Sequence, residues 1–147
     1  MRNQMNTVGQ GSTMSEVRRL LEKSGYSKKA IRYFMKKVNV GHIENPSAHL
    51  AYTGPCGDAM EIYLKIKSNV IEDAKFQAIG CAGAFSSGSA LMEMVKEKTL
   101  EEAEKITEED IVSFLEGIPK QKIHCACLAK RTLQKTIEEY RNSKTKT

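Results

Sequence analysis

The sequence predicts an α+β domain, a small antiparallel sheet with helices packed on it. Three observations carry that prediction. Residues 59–79 alternate apolar and polar side chains at period two. The segments that flank them place apolar residues at helical spacing. Gly, Pro, Asn and Ser mark the boundaries between the two kinds of segment. A chain of 147 residues has the length of one ordinary domain.

Residues 1–13 are rich in Asn, Gln, Gly, Ser and Thr and read as a disordered N-terminal tail. A single domain is expected over 14–142, with a disordered tail at 143–147. Val17, Leu20 and Leu21 fall at helical spacing after Ser15, and Gly25 ends that helix. Ser27 caps a second helix with Ala30, Ile31, Phe34 and Met35 on one face. Residues 38–50 contain Gly41, Asn45, Pro46 and Ser47 and read as a loop. Met60, Ile62, Leu64 and Ile66 then alternate with Glu61, Tyr63, Lys65 and Lys67, which is a half-buried strand.

Ser68-Asn69 is a turn, and a second strand runs on from Val70, with Ala74, Phe76 and Ala78 opposite Lys75 and Gln77. A lone hairpin is marginal, so Leu50 to Thr53 is expected as a third strand. From Ala84 to Lys96 a helical stripe carries Phe85, Leu91, Met92 and Val95. Thr99-x-x-Glu102 and Thr107-x-x-Asp110 both resemble capping boxes. The helix after Thr107 buries Ile111, Phe114 and Leu115 and stops at Gly117. Pro119 breaks the chain, and a long helix runs from His124 to Arg141.

The net charge of +5 invites a nucleic-acid reading, and the pattern argues against it. Most basic residues are interleaved with acids, and there is no Trp to stack on bases. The excess sits at Arg18-Arg19, Lys28-Lys29, Lys36-Lys37, Lys130-Arg131, Lys144 and Lys146, a distribution that suits an acidic protein partner as well. No run is apolar enough to span a membrane, and residues 1–13 lack a signal peptide's apolar stretch. Four cysteines are too few for a disulfide scaffold at this length. These features read as a cytoplasmic protein with reduced thiols and neither a nucleic-acid nor a membrane partner.

Three cysteines stand in distinctive settings: Gly-Pro-Cys56-Gly-Asp58, Gly-Cys81-Ala-Gly-Ala, and Lys122-Ile-His124-Cys125-Ala-Cys127. Their spacing is not the C-x-x-C of a zinc ribbon or a thioredoxin-type pair. Each of the three falls at the end of an expected element, where separate loops can converge. Two have a second metal-ligand type beside them, Asp58 or His124. Cys81 and Cys125 are expected at or near helix N-termini, where the dipole favours the thiolate. Residues two apart on a helix are about 200° apart. Cys125 shares a stripe with Ala129, Leu133, Thr136 and Tyr140, so it faces the protein body. Cys127 shares its face with Lys130, Arg131 and Gln134, so it is expected in solvent and dispensable for binding. His42 and His49 are expected to be solvated in the polar loop.

At these residues the chain resembles the IscU/NifU family of iron–sulfur cluster assembly scaffolds, in their NifU N-terminal-like domain. The pattern shows in Asn39-Val40-Gly41, Pro55-Cys56-Gly57-Asp58, Ile71-Glu72-Asp73-Ala74-Lys75-Phe76, Gly80-Cys81 and Lys122-Ile123-His124-Cys125, and spans Tyr26 to Tyr140. The interval from Cys81 to Cys125 fits the IscU-like and NifU-like branch and leaves no room for the insertion typical of the SufU branch. The resemblance implies three antiparallel strands with about five or six helices packed mainly on one face. It implies a non-catalytic scaffold on which a 2Fe–2S cluster is assembled on Cys56, Cys81 and Cys125, with Asp58 or His124 as an exchangeable fourth ligand. It also implies a cysteine desulfurase as sulfur source, apo iron–sulfur proteins as recipients, and Zn²⁺ in the cluster-free form.

Cys127 is a thiol added to the family pattern, and three segments depart from it. Lys36-Lys37 replaces Asn-Pro before Asn39. Ile118-Pro119-Lys120-Gln121-Lys122 replaces the Leu-Pro-Pro-Val-Lys segment that docks an Hsp70-type chaperone, which weakens the expectation of that partner. Ala84-Phe85-Ser86-Ser87, followed by Gly88, replaces a small-residue stretch, and Gly88 is expected to add flexibility. The competing readings are a zinc-binding structural or regulatory module and a thiol-based sulfur-relay protein.

Overall fold

The structure, a computed structural model, describes residues 13–145. Its elements are α1 (Thr13–Ser24), α2 (Lys28–Met35), β1 (Ala48–Thr53), β2 (Ala59–Lys67), β3 (Val70–Ile79), α3 (Ala82–Val95), α4 (Leu100–Glu104), α5 (Glu108–Leu115), a 3-10 turn (Lys120–Lys122) and α6 (Ile123–Thr145). The expected α+β class is what the chain adopts, with six α-helices among the described residues.

The sheet has the order β1-β2-β3, antiparallel throughout. Ser68 and Asn69 close the β2–β3 hairpin with φ of 53° and 66°. Left-handed backbone at both central residues is what a tight two-residue hairpin needs, because its twist matches the strands. Met60, Ile62, Leu64, Ile66, Ile71, Ala74 and Phe76 are buried. They fill the face on which α3 and α6 pack. The parity changes inside β3: Lys65 pairs with Asp73 and Ile66 with Ile71, so Glu72 is an extra residue in a bulge. That is why Ile71 and Ala74, three apart, share the buried face.

The other face is polar. His49, which lies in β1, stacks on its cross-strand partner Tyr63 at 4.7 Å and bonds to Glu61. The loop placement expected for His49 is therefore corrected: β1 starts at Ala48, two residues before Leu50. Pairing of Ala48 with Leu64 and His49 with Tyr63 extends the strand past what its own pattern indicates.

The helical boundaries follow local chemistry. Ser27 Oγ accepts from Ala30 N at the start of α2. Thr99–Glu102 and Thr107–Asp110 both form complete capping boxes. Helix α5 ends on Glu116, at φ 66°, followed by Gly117 at φ 119°. Two ends differ from expectation. Thr13 already belongs to α1, and α6 continues to Thr145, past the boundary expected at residue 142. No Gly or Pro interrupts 142–145, and Arg141 is tied to Glu101 and Glu104, so nothing stops the helix. The rest of the expected tails, residues 1–12 and 146–147, lies outside the described residues.

Gly88 is corrected too. A Cβ there would lie 2.6 Å from Cε2 of Phe76. The glycine lets α3 close onto the sheet rather than loosening the helix. A further contact secures the edge of β3. Phe76 N donates to Asn39 O and Gly41 N donates to Phe76 O, while Asn39 holds φ 64°. The Asn39 side chain is fixed by Ser89 O, Glu93 and Lys96.

Candidate metal centre

Three chain reversals meet at one end of the sheet. The first joins β1 to β2 and carries Cys56 and Asp58. Gly54 N donates to Asp58 O and Gly57 N donates to Gly54 O, which folds the loop tightly, with Gly57 at φ 95°. Cys56 is exposed at its tip. The second reversal joins β3 to α3, and Cys81 occupies the N-cap position of that helix. The third is the start of α6, which carries His124 and Cys125.

The structure brings all five expected residues together. Cys81 Sγ and Cys125 Sγ are 3.6 Å apart, and Cys125 Sγ is 3.7 Å from His124 Nε2. The donor atoms of Asp58, Cys81 and Cys125 lie within 4.8 Å of one another, and so do those of Cys56, Asp58 and His124. Asp58 belongs to both groups and bridges them. Burial grades across the site: Cys125 is buried, Cys81 intermediate and Cys56 exposed.

Two glycines make the approach possible. A Cβ on Gly80 would lie 2.8 Å from Asp58 Oδ2. A Cβ on Gly83 would lie 3.1 Å from Cys125 Sγ and 3.3 Å from the Tyr26 hydroxyl. Tyr26 enters from the α1–α2 turn, which docks on the segment after α5 through Ser27 N to Gly117 O. Its buried ring lies behind the two inner thiols. Burial, and then the charges of Cys81 and Cys125, push the Tyr26 hydroxyl up to about 12, against a Gly83 N–H that acts the other way. Tyr26 is the residue near the site to which sequence reasoning gave no role. Tyr26 looks like any helix-flanking aromatic, and only the fold places it under the thiols.

The two inner thiols behave oppositely. Burial works against ionisation of Cys81, but the N–H groups of Ala84 and Gly83, the Cys125 thiol and Lys122 outweigh it, so its pKa falls below the usual value. Burial pushes Cys125 up to about 12, with the Cys81 charge next in weight. Of the two sulfurs, Cys81 gives up its proton more readily and Cys125 holds its own. The dipole argument therefore holds for Cys81 and fails for Cys125, whose burial dominates.

Cys127 is in neither donor group. The expectation that it faces solvent is corrected: it is half-buried, and its thiol donates to Glu108 Oε2 at 3.6 Å. Helix α5 reaches over this part of α6, with Glu108 paired to Lys130 at 3.2 Å. Burial, then the Glu108 charge, raises the Cys127 pKa.

An α+β fold that gathers three thiols, a carboxylate and an imidazole at its loop ends offers the donor types of the soft-metal and cluster-binding class. The comparisons with known proteins narrow that class. The family model described as the NifU-like N terminal domain matches residues 25–147. The iron-sulfur cluster assembly scaffold protein IscU 1 of Archaeoglobus fulgidus is 47% identical over 116 residues, which is 78% of this chain and 76% of that protein. The iron-sulfur cluster assembly scaffold protein IscU of Haemophilus influenzae is 38% identical over 122 residues, 79% of this chain and 95% of that protein. The N-terminal NifU-like protein of Brucella abortus, a solved structure, shares the fold with a TM-score of 0.63 at 18% identity, covering 79% of this chain and 94% of that one. The chain belongs to the family of NifU-like N-terminal domains.

Proposed function

We propose that this protein is an iron–sulfur cluster assembly scaffold, holding a nascent 2Fe–2S cluster on Cys56, Cys81 and Cys125. The observation that carries the reading is the pair of overlapping donor groups joined at Asp58. Thiolates bind cluster iron strongly, and a carboxylate or imidazole binds it more weakly. Three strong positions and one weak one suit a carrier that must let its cargo go. Asp58 and His124 compete for the fourth position. The chain acts as scaffold and carrier: sulfur arrives from a cysteine desulfurase as persulfide, and apo iron–sulfur proteins take the finished cluster. When empty, the same donors suit tetrahedral Zn²⁺. No helix among the described residues is long and apolar enough to cross a membrane, which fits action in the cytoplasm.

The chemistry of the inner pair sets an order of events. Cys81 offers the first thiolate. Cys125 releases its proton only as a metal arrives, and Lys122 eases that loss. Cys56, on the exposed loop, closes the outer side.

Anaerobic reconstitution with iron and sulfide tests the reading. The parent protein turns brown, with visible charge-transfer absorption, and Cys56→Ser, Cys81→Ser and Cys125→Ser each lose most of it. A colourless protein that unfolds on zinc removal is instead a structural zinc module, and one that releases sulfide from persulfide yet never loads a cluster is a sulfur relay. Asp58→Ala addresses the fourth position: the three thiols keep the cluster, and transfer to an apo-acceptor slows. Unchanged transfer with a lowered melting point makes Asp58 a turn residue and leaves His124 as the ligand.

A further inference from the structure

Cys127 is a fourth thiol that the donor set does not use, yet it is not remote from the site. A groove of about 220 Å³ runs beside the metal centre, lined by both Cys56 and Cys127. Tyr52, Pro55 and Leu128 give it apolar walls, and His124 and Arg131 complete its lining. Cys56 and His124 therefore belong at once to this groove and to the donor group with Asp58. Anything released in the groove at Cys56 is released at the metal centre.

We propose that Cys127 is a resolving thiol that reduces a persulfide carried on Cys56 and so delivers sulfide directly to the assembling cluster. The inference rests on the scaffold reading. Sulfur reaches a scaffold as sulfane sulfur, but a cluster contains sulfide, so each atom must gain two electrons. A thiol pair supplies them. Cys127 attacks the Cys56 sulfur of Cys56–S–S⁻. A bond forms between the two cysteine sulfurs, and the bond to the terminal sulfur breaks. The terminal sulfur departs with the electron pair and the Cys127 proton, as HS⁻. The products are HS⁻ and a Cys56–Cys127 disulfide, which a dithiol reductant reopens for the next cycle.

The placement of the thiols fits this division of labour. The helical geometry that puts Cys125 against Cys81 turns Cys127 about 200° around the helix from Cys125, outside both donor groups and onto the groove that Cys56 also lines. Cys127 is thus free to react while Cys81 and Cys125 hold metal. A disulfide requires the two Cα atoms to come within about 7 Å. The approach falls to Cys56, which sits exposed at the tip of its loop between Gly54 and Gly57. On the other side, Cys127 only has to turn from Glu108.

The test uses reduced, metal-free protein under anaerobic conditions, charged with one equivalent of cysteine persulfide and then desalted. Released sulfide is measured and disulfides are mapped by mass spectrometry. The parent protein should release sulfide and show a Cys56–Cys127 disulfide. Cys127→Ser and Cys127→Ala should retain the persulfide on Cys56 and release about tenfold less sulfide. Equal release by parent and both variants, or a disulfide that joins Cys56 to Cys81 or Cys125 instead, overturns the proposal. Circular dichroism melting of both variants confirms that they are folded when compared. Reconstitution with iron and free sulfide separates this idea from the scaffold reading. If the parent and the Cys127 variants load equal cluster while sulfide release differs, both stand. If no variant loads cluster yet the disulfide still forms, only the scaffold reading fails.

Discussion

The two ends of the sheet are built on opposite terms. At the hairpin end, polar groups are paired locally. Ser68 and Asn69 turn the chain, Leu100 N donates to Asn69 O, and Ile71 N donates to Lys98 O. Thr99 and Glu102 cap α4 reciprocally, and Arg141 ties α6 to Glu101 and Glu104. At the loop end, thiols and a carboxylate crowd together with no ion pair among them. The Cys81 and Cys125 sulfurs lie 3.6 Å apart over a buried tyrosine. The contrast teaches where stability and function separate: one end pairs its polar groups to hold the fold, and the other gathers the donor groups of the candidate site.

Changes at the loop end should therefore alter binding more than folding, and the largest effect is expected at Gly80. In Gly80→Ala the new methyl would lie 2.8 Å from Asp58 Oδ2 and 3.2 Å from Ala84 Cβ, so it pushes the Asp58 loop and the Cys81 turn apart. Zn²⁺ affinity should fall by about 10- to 100-fold, read by competition with a chromogenic chelator. An unchanged affinity would mean that the two turns do not act as one site.

The pH dependence of metal binding sharpens the same point. Cys125 has its pKa raised to about 12, so it carries its proton near neutrality. A metal binds the thiolate and must displace that proton. Apparent Zn²⁺ affinity should then rise by about tenfold per pH unit for this proton. Calorimetric titration in two buffers of different ionisation enthalpy reports the proton released. No release at pH 7 breaks the assignment of Cys125 as a ligand.

The smallest effect is expected at the hairpin end. Thr99→Ala removes the side-chain acceptor for Glu102 N and should cost about 1 kcal/mol in urea denaturation. Zn²⁺ affinity should not change. A parallel loss of affinity would show that the two ends are coupled.

What the sequence made legible follows the same division. The caps made by Ser27, Thr99 and Thr107 and the Ser68-Asn69 turn act through neighbours three residues away or fewer, so these roles can be read from the chain. Cys56, Cys81 and Cys125 stand out by their settings, and the meeting of all five donors was expected from element ends and from the family resemblance. The remaining features depend on distant partners. The Glu72 bulge exists only relative to β2, and the length of α6 depends on Arg141 meeting Glu104. Gly88 is read as flexible until Phe76 is seen against it. Cys127 is read as solvated until α5 is seen across it.

The clamp that Asn39 to Gly41 places on β3 has a further consequence. A strand at the margin of a sheet presents unpaired N–H and C=O groups, a template on which a second chain can zip itself. The two bonds to Phe76, with Asn39 held in turn by Ser89, Glu93 and Lys96, occupy the middle of that margin. Copies that crowd together while their thiols are empty are thereby denied one route to amyloid-like stacking, and the protection does not depend on whether metal is bound.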